Sequence, residues 1–331
     1  MSYLNGKTVL VTGGTGSFGN AFVEKILSEH SPKKVIIYSR DEMKQWYMQK
    51  KFNDERLRFL IGDVRDKDRM QRAFNNVNCV IHAAATKIVP TAEYNPFECI
   101  KTNINGAMNV ADCSIDNNVE KVVALSTDKA CSPINIYGAS KLVSDKVFIS
   151  SNAYAGLTGT NFSVVRYGNV MGSRGSIIPF FLKLPKDSKI PVTDERMTRF
   201  MISLEEGVDL VLFALENMKG GETYVKKIPS MKVTDIAESI FPDREIEIIG
   251  IRPGEKLHES MITSEDSLNT YEFKEHYIIY PQLDFSGKDY DIQNGKKVDF
   301  GFDYSSGNNS EWMTKEALIK WVNLNKDKLI Y

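Results

Sequence analysis

Residues 7–19, KTVLVTGGTGSFG, join a short apolar run to a glycine-rich turn. The run is rich in β-branched residues and ends at turn residues, which predicts a buried strand. Gly13, Gly16 and Gly19 fall three residues apart, and helical spacing follows over 17–29. Such glycines let the turn bend tightly and let the backbone approach a pyrophosphate at the helix N-terminus. The stretch therefore predicts a strand, turn and helix that bind a dinucleotide, the alternative being a purely structural glycine turn.

Strand-like and helix-like segments alternate through the first half of the chain. Further buried runs are KVIIYSR, LRFLIGD, CVIHAAA, KVVALST and FSVVRYGNV, and helical spacing recurs over 42–53, 66–75, 96–117 and 138–154. This alternation predicts an α/β fold with a doubly wound parallel (Rossmann) sheet. In the second half we predict helices over 204–219, 232–240 and 311–323, and strands at ETYVKK and EIEIIGI.

The predicted division of the chain falls near residue 170. We expect residues 1–170 to form a dinucleotide-binding Rossmann domain that regains elements from about 204–227. Residues 171–331 are expected to form mainly a smaller C-terminal substrate-binding lobe, because no linker or repeat separates the two halves.

Composition excludes several classes of function. The 331 residues carry 42 basic and 43 acidic side chains, so a nucleic-acid-binding surface is not expected. The N-terminal apolar run is too short for a signal peptide or a membrane span. The four cysteines and four histidines are scattered without metal-ligand spacing. We therefore expect a cytoplasmic protein with reduced thiols, no membrane segment and no metal.

The end of the second strand, YSRDE, bears on the choice between NAD and NADP. Ser39, Arg40 and Lys44 offer a hydroxyl and two positive charges to a ribose 2′-phosphate. Asp41 is the competing signal, because an acidic residue here accepts a hydrogen bond from the 2′-hydroxyl of NAD. Asp41 can equally serve as a helix N-cap. We predict NADP.

Later strand ends complete the predicted cofactor site. Asp63 and Val64 close the third strand, and small Ala83 closes the fourth. Lys87 follows and is predicted to bind cofactor or substrate, the alternative being a solvated loop lysine. The full predicted cofactor set is Gly13, Thr15, Gly16, Ser17, Phe18, Gly19, Ser39, Arg40, Asp41, Lys44, Asp63, Val64, Ala83, Lys87, Tyr137 and Lys141.

Residues 126–141, STDKACSPINIYGASK, hold the candidate catalytic groups. Tyr137 and Lys141 are four residues apart and so share one helix face. Tyrosine has a pKa of about 10, and a neighbouring ammonium favours the phenolate that takes a proton from a hydroxyl group. Asp128 and Lys129 form an acid–base pair for which a plain alcohol dehydrogenase has no obvious use. The alternative for this pair is an exposed ion pair at a strand-end turn.

The chain resembles the extended short-chain dehydrogenase/reductases and, within them, the configuration-inverting UDP-N-acetylglucosamine 4,6-dehydratases. The shared motifs include LVTGGTGSFG, YSRDE, IGDVRD, LSTDKA, YGASK, SVVRYGNVMGSRGS and IRPGEKLHE. The resemblance implies that Thr127, Asp128 and Lys129 carry the catalytic signature together with Tyr137 and Lys141. It further implies C4 oxidation with Tyr137 as base and with NADP, which is regenerated each turnover. A neutral Lys129 then removes the C5 proton, Asp128 protonates the departing C6 hydroxyl, and C5 is inverted.

The resemblance also implies a substrate site and a setting. Lys87, Thr127, Asn169, Arg174, Arg252 and Glu255 are predicted to bind UDP-N-acetylglucosamine, although GSRGS and RPGEK also fit a simple turn. A homo-oligomer such as a hexamer is implied, and Tyr137 favours the branch feeding pseudaminic acid synthesis. The alternatives are a retaining 4,6-dehydratase or an epimerase on another UDP-sugar, or a catalytically silent NADP-binding regulator.

Overall fold

A computed structural model of the chain describes residues 2–156, 159–185, 187–282, 290 and 292–329. The first half alternates between strands and helices, as predicted. Its strands are β1 (Thr8–Thr12), β2 (Lys34–Ser39), β3 (Leu57–Ile61), β4 (Cys79–His82), β5 (Lys121–Leu125) and β6 (Asn161–Arg166). Its helices are α1 (Ser17–Glu29), α2 (Glu42–Phe52), α3 (Lys67–Ala73), α4 (Val89–Tyr94), α5 (Pro96–Ile100), α6 (Gly106–Asp116) and α7 (Ile136–Ala155).

The helix predicted over 96–117 is interrupted. A π-helical turn, Lys101–Asn105, separates α5 from α6. The turn carries buried Asn103, whose Nδ2 donates to the backbone oxygen of Thr86 at 2.9 Å and to Ser140 Oγ at 2.9 Å. Single π-helical turns inside helices often occur at functional sites. Here the turn ties the segment after β4 to helix α7.

The second half contains shorter elements. They are β7 (Asn169–Val170), α8 (Ile177–Leu182), β8 (Ile190–Val192), β9 (Thr198–Ile202), α9 (Leu204–Asn217), β10 (Thr223–Lys226), β11 (Ser230–Lys232), α10 (Val233–Ile240), β12 (Ile246–Ile248), β13 (Ser260–Ile262), β14 (Thr270–Glu272), β15 (His276–Ile279), β16 (Lys296–Lys297), β17 (Tyr304–Ser305) and α11 (Lys315–Leu329). Helix α11 begins later than the predicted residue 311, because the Glu311 oxygen accepts from Ser230 N and Met313 N donates to the Ser230 oxygen, both at 2.8 Å.

The main sheet confirms the predicted doubly wound parallel fold. Its ten described strands run in the order β3-β2-β1-β4-β5-β6-β10-β15-β14-β16. The pairs from β3 to β10 are parallel, and β15, β14 and β16 add antiparallel strands at one edge. Residues 204–227 thus contribute β10 to this sheet. Residues 270–297 contribute three more strands, and the division of domains near residue 170 stays a prediction.

Hydrophobic side chains fill both faces of the sheet. In β1, Val9 and Val11 pack into one core, and Leu10 between them packs into the other. Strands buried on both faces read as continuous apolar runs, which explains the KTVLVTG pattern. A separate core, which includes Phe181 and Ile236, lies among the shorter elements of the second half. Among the described residues, no helix combines the length and apolar character that crossing a bilayer requires.

Candidate active site

A cavity of about 910 Å³ lies at the carboxyl ends of the parallel strands. Ligands bind at this edge in open α/β sheets. Every predicted cofactor-binding residue lines the cavity, and so do Thr127, Asn169, Lys129 and Arg174. Buried Asp128 lies behind this lining, while Arg252 and Glu255 lie outside it. The arrangement brings the two predicted ends of the site, cofactor and catalytic, into one space.

The glycine-rich turn at one end has the shape that a dinucleotide phosphate requires. Gly13 has φ +65°, and a Cβ there would lie 2.8 Å from the Cα of Ala84. A Cβ on Gly19 would lie 2.1 Å from the backbone oxygen of Gly14, so only glycine lets α1 pack this closely. Gly16 caps α1 without a side-chain hydrogen bond. The first amides of the helix therefore remain suited to an anionic ligand.

At the end of β2, Asp41 is already engaged by its own helix. Its Oδ1 accepts from the Lys44 amide at 3.0 Å, and its Oδ2 lies 2.8 Å from Lys44 Nζ. These contacts lower the pKa of Asp41, with the Lys44 side chain as the main cause. Ser39 Oγ lies 2.9 Å from Thr15 Oγ1, and the exposed Arg40 guanidinium lies 3.7 Å from Asp63 Oδ2. The carboxylate of Asp41, which could otherwise bind the 2′-hydroxyl of NAD, therefore caps α2 instead.

Tyr137 and Lys141 lie on the buried face of the first turns of α7. Asn135 caps the helix by accepting from Gly138 N at 2.7 Å. Burial raises the pKa of Tyr137 to about 12, against the opposing effects of the Lys129 ammonium and the Thr127 hydroxyl. Burial lowers the pKa of Lys141. In the free protein, the phenol form of Tyr137 is therefore favoured over the phenolate expected from its lysine neighbour.

Lys129 is surrounded by oxygen atoms. Its Nζ lies 3.1 Å from Asp128 Oδ1, 3.3 Å from Asn169 Oδ1 and 3.4 Å from Glu259 Oε1. Burial would lower the pKa of Lys129, but the two carboxylates outweigh burial and raise it. These carboxylates favour the ammonium form of Lys129 in the free protein, whereas the resemblance implies a neutral amine at the C5 step. Lys129 Nζ donates to Asp128 and Asn169 and forms an ion pair with Glu259, which are contacts that suit an ammonium.

Sequence reasoning missed Glu259. This side chain precedes β13, is almost fully buried, and lies 3.9 Å from Arg199 Nε as well as beside Lys129. Its Oε2 has no hydrogen-bond partner among the described residues. Its position at the end of IRPGEKLHE was the available signal, but no local pattern indicates that this glutamate reaches Lys129.

The loop that carries Arg252 and Glu255 lies at the rim of the cavity. The Gly254 oxygen accepts from Asn135 Nδ2 at 2.8 Å, which fixes the loop beside the start of α7. Arg252 is half-exposed, and its Nη1 lies 3.9 Å from Glu255 Oε1. The structure therefore does not bring these two side chains together with the other predicted substrate-binding residues.

The cysteines and the possible metal-binding side chains are the remaining groups to consider. All four cysteines, Cys79, Cys99, Cys113 and Cys131, are buried free thiols. Across the described ranges, no cluster of three or more His, Cys, Asp or Glu side chains could hold a metal ion.

Comparisons with known proteins show the family of this chain. The chain matches the polysaccharide biosynthesis protein family over residues 9–281. It is 54% identical over 327 residues, 96% of this chain and 98% of the relative, to the UDP-N-acetylglucosamine 4,6-dehydratase (inverting) of Campylobacter jejuni. It is 41% identical over 324 residues, 94% of each chain, to the UDP-glucose 4-epimerase of Rickettsia rickettsii.

A solved structure agrees over the whole fold. The X-ray structure of Pen from Bacillus thuringiensis superimposes with a TM-score of 0.90 at 39% identity, covering 99% of this chain and 100% of that one. The predicted family resemblance is confirmed. The chain belongs to the polysaccharide biosynthesis protein family, has the short-chain dehydrogenase/reductase type of fold, and is a relative of the inverting UDP-N-acetylglucosamine 4,6-dehydratases.

Proposed function

We propose that this protein is a UDP-N-acetylglucosamine 4,6-dehydratase that inverts C5. Its product would be UDP-2-acetamido-2,6-dideoxy-β-L-arabino-hex-4-ulose, a UDP-4-keto-6-deoxy-L-hexose. One observation carries the proposal: Thr127, Asp128, Lys129 and Tyr137 form an acid–base cluster at a cavity whose other end fits a dinucleotide. The 54% identity to a Campylobacter jejuni enzyme of that name supports the choice of substrate.

The proposed cofactor is NADP, held by the glycine turn and by Ser39 and Arg40. A bound nicotinamide would accept a hydride from C4 and return it to C6, so that no cofactor is consumed. Arg40 is exposed at the cavity and offers a planar set of donors to a 2′-phosphate. Asp41, the residue that would favour NAD, is engaged by the Lys44 amide and ammonium. These contacts support NADP over NAD.

Tyr137, Thr127 and Asp128 form a path for one proton. Tyr137 interacts with the Thr127 hydroxyl, and Thr127 Oγ1 donates to Asp128 Oδ1 at 2.8 Å. In the proposed reaction Tyr137 takes the C4 hydroxyl proton as C4 is oxidised. The proton passes through Thr127 to Asp128, which gives it to the departing C6 hydroxyl. The water that leaves thus carries the proton removed from C4, and both side chains return to their starting states.

Asn169, Arg174 and the rim loop are the proposed substrate contacts. Asn169 and Arg174 line the cavity, and Asn169 also accepts from Lys129 Nζ. Arg252 offers a guanidinium to the diphosphate from the rim, with Glu255 beside it. Lys87, which also lines the cavity, completes the set.

A deuterium experiment tests the function. The purified protein is incubated with UDP-N-acetylglucosamine in D₂O, and NMR reports the ring configuration and the deuterium content at C5. We expect a 4-keto-6-deoxy sugar with deuterium at C5 and inverted configuration. A product of retained configuration, or turnover of a different sugar nucleotide alone, would reject the proposal.

The Rickettsia rickettsii relative supplies a second candidate, because it is named a UDP-glucose 4-epimerase. An epimerase changes only C4, so it would leave C5 unlabelled and C6 hydroxylated in the same experiment. The acid–base pair Asp128–Lys129 has no task in that reaction, which favours the dehydratase. The homo-hexamer, the cytoplasmic location and the link to pseudaminic acid stay predictions.

A further inference from the structure

A buried ion pair lies behind the catalytic end of the cavity. Asp145 and Arg166 are 2% and 5% exposed, and Asp145 Oδ2 lies 3.7 Å from Arg166 Nη2. Neither side chain lines the cavity that contains Tyr137 and Lys129. Together with Asp266, they line a separate cavity of about 260 Å³. Any effect of the pair on the reaction must therefore pass through other residues.

The ion pair holds both ends of the catalytic segment, by which we mean residues 126–131. At the start of the segment, Ser126 Oγ donates to Asp145 Oδ2 at 2.6 Å. At its end, Arg166 Nη1 donates to Cys131 Sγ at 2.9 Å. Both contacts are buried. Because the carboxylate and the guanidinium also contact each other, the two ends of the segment are attached to one connected unit.

The same carboxylate aligns the catalytic segment with helix α7. Tyr137, Lys141 and Asp145 are spaced four residues apart and so share one face of that helix. Thr127 interacts with Tyr137 in the first turn of α7. Its neighbour Ser126 bonds to Asp145, about two turns further along. Two adjacent residues are thus attached to two separate turns, which fixes the register between the end of β5 and the helix.

Arg166 is itself anchored by the second half of the chain. Its Nη1 also donates to the Met261 oxygen at 2.8 Å and lies 3.3 Å from Asp266 Oδ2. Met261 belongs to β13, and Asp266 begins a 3₁₀ turn, Asp266–Asn269. The guanidinium therefore joins the catalytic segment to elements of the second half, in addition to its contact with α7.

Stability alone is a poor explanation for this ion pair. Asp145 Oδ1 and Arg166 Nε have no hydrogen-bond partner among the described residues. Burial raises the pKa of Asp145, and Arg166 and Lys141 oppose this rise. An ion pair that has lost its water and leaves such atoms unpaired contributes little net stability. Apolar side chains could fill the same space, but they could not form directional bonds to Ser126 and Cys131.

We propose that the buried ion pair positions the catalytic segment, so that Thr127 and Asp128 stay in line with Tyr137. The inference rests on the proposed function, because it assigns the pair to the proton path of C4 oxidation. Asp145 and Arg166 are positioning residues, since neither lines the cavity in which the reaction takes place. Loss of either attachment lets the segment move relative to α7. That movement slows hydride transfer from C4 and leaves the binding surfaces in place.

The test removes each attachment and keeps the ion pair. Ser126→Ala deletes the hydroxyl at the start of the segment, and Cys131→Ala deletes the sulfur at its end. Each variant, carrying its cofactor, is mixed with UDP-N-acetylglucosamine, and C4 oxidation is followed as the near-ultraviolet absorbance of reduced nicotinamide. We expect Ser126→Ala to slow this step by roughly 10- to 100-fold, because misplacing a reacting group by about 1 Å has an effect of this size. Cys131→Ala should have a smaller effect, because sulfur is a weak acceptor. KM for the substrate should be unchanged in both.

Two matched controls separate positioning from stability. Ser163→Ala removes an equivalent bond, because Ser163 Oγ also donates to a buried carboxylate oxygen, Glu222 Oε2, at 2.6 Å. Cys113→Ala removes another buried thiol. Both positions lie outside the cavity lining. We expect the controls to lower the melting temperature comparably to the test variants and to leave C4 oxidation unchanged.

The other outcomes distinguish the inference from the proposed function. Wild-type rates of C4 oxidation in both Ser126→Ala and Cys131→Ala overturn the inference alone. Slowing accompanied by a matching rise in KM also overturns it, because the lost group would then bind substrate. Equal slowing in the two controls overturns it as well, since general destabilisation would explain the effect. Wild-type protein that forms no reduced nicotinamide with UDP-N-acetylglucosamine rejects the proposed function and, with it, the role in C4 oxidation.

A readout independent of turnover uses the free protein. The amides of Ser126 and Asp128 donate to the oxygens of Val165 and Tyr167, at 2.7 and 3.2 Å. Hydrogen–deuterium exchange followed by mass spectrometry reports how firmly these bonds hold the segment. We expect peptides that cover residues 126–131 to exchange faster in Ser126→Ala than in wild type or Ser163→Ala. Unchanged exchange would show that the ion pair does not hold the segment, whatever the substrate.

Discussion

The cofactor end and the chemical end of the cavity are built in different ways. The cofactor end is made of short local segments, each directly following a strand: the glycine turn after β1, Ser39 and Arg40 at β2, and Asp63 after β3. At the chemical end, the decisive contact joins Lys129 to Glu259, which is remote in sequence. Local segments fix where groups lie, whereas a long-range contact fixes which groups carry a proton. A motif can therefore locate a reaction without assigning its acid and base.

Asp128→Asn tests the chemical end and should have the largest effect. An amide cannot give a proton to the C6 hydroxyl, so we expect product formation to fall by about 10³–10⁴-fold. Asp128 also ends the proposed path for the C4 proton, so C4 oxidation should be impaired too, and recovered substrate should carry little deuterium at C5. Asp112→Asn, at an exposed ion pair with Lys67, is the control. Ordinary dehydration by Asp128→Asn would show that this carboxyl is not the acid.

Glu259→Gln tests the long-range contact itself. A group that must be protonated gives a rate that falls as the pH rises through its pKa. Removing an anion 3.4 Å from Lys129 Nζ lowers the pKa of Lys129, by about one to three units for a contact this close. The basic limb of the pH profile should move to lower pH by the same amount, with little change near neutrality because Asp128 remains. The control is Glu245→Gln, a surface substitution that should leave the pH–rate profile unchanged. If the basic limb does not move in Glu259→Gln, Glu259 does not influence the proton transfer.

Arg40→Ser tests the cofactor end. Losing one or two charge-assisted hydrogen bonds to a 2′-phosphate should raise the Kd for NADP by roughly 10- to 100-fold. The Kd for NAD should change little, because NAD lacks that phosphate. Titration calorimetry with both dinucleotides measures the two values, and Arg72→Ser, exposed and outside the cavity, serves as the reference. Equal weakening of both cofactors would remove the case for NADP.

This contrast also explains what the sequence could predict. Strand–helix alternation and the glycine spacing suffice for the parallel sheet, because each signal is local and periodic. They do not suffice for the π-helical turn at Lys101–Asn105, which exists because Asn103 binds the Thr86 backbone and Ser140. The sequence could not predict the ion pair between Lys129 and Glu259 for the same reason. Glu259 directly precedes β13, and the position of β13 depends on the packing of the whole second half.

Arg252→Ala should have the smallest effect, and it tests whether the loop at the rim of the cavity contributes to substrate binding. A half-exposed guanidinium at the rim, outside the cavity lining, contributes little while the loop keeps its present position. We therefore expect KM for UDP-N-acetylglucosamine to rise by less than about tenfold with kcat unchanged. A larger rise in KM alone would mean that the loop moves over the bound diphosphate, since an interaction of that size requires a desolvated contact. The rim would then belong with the chemical end, as a further part of the site that only long-range packing assembles.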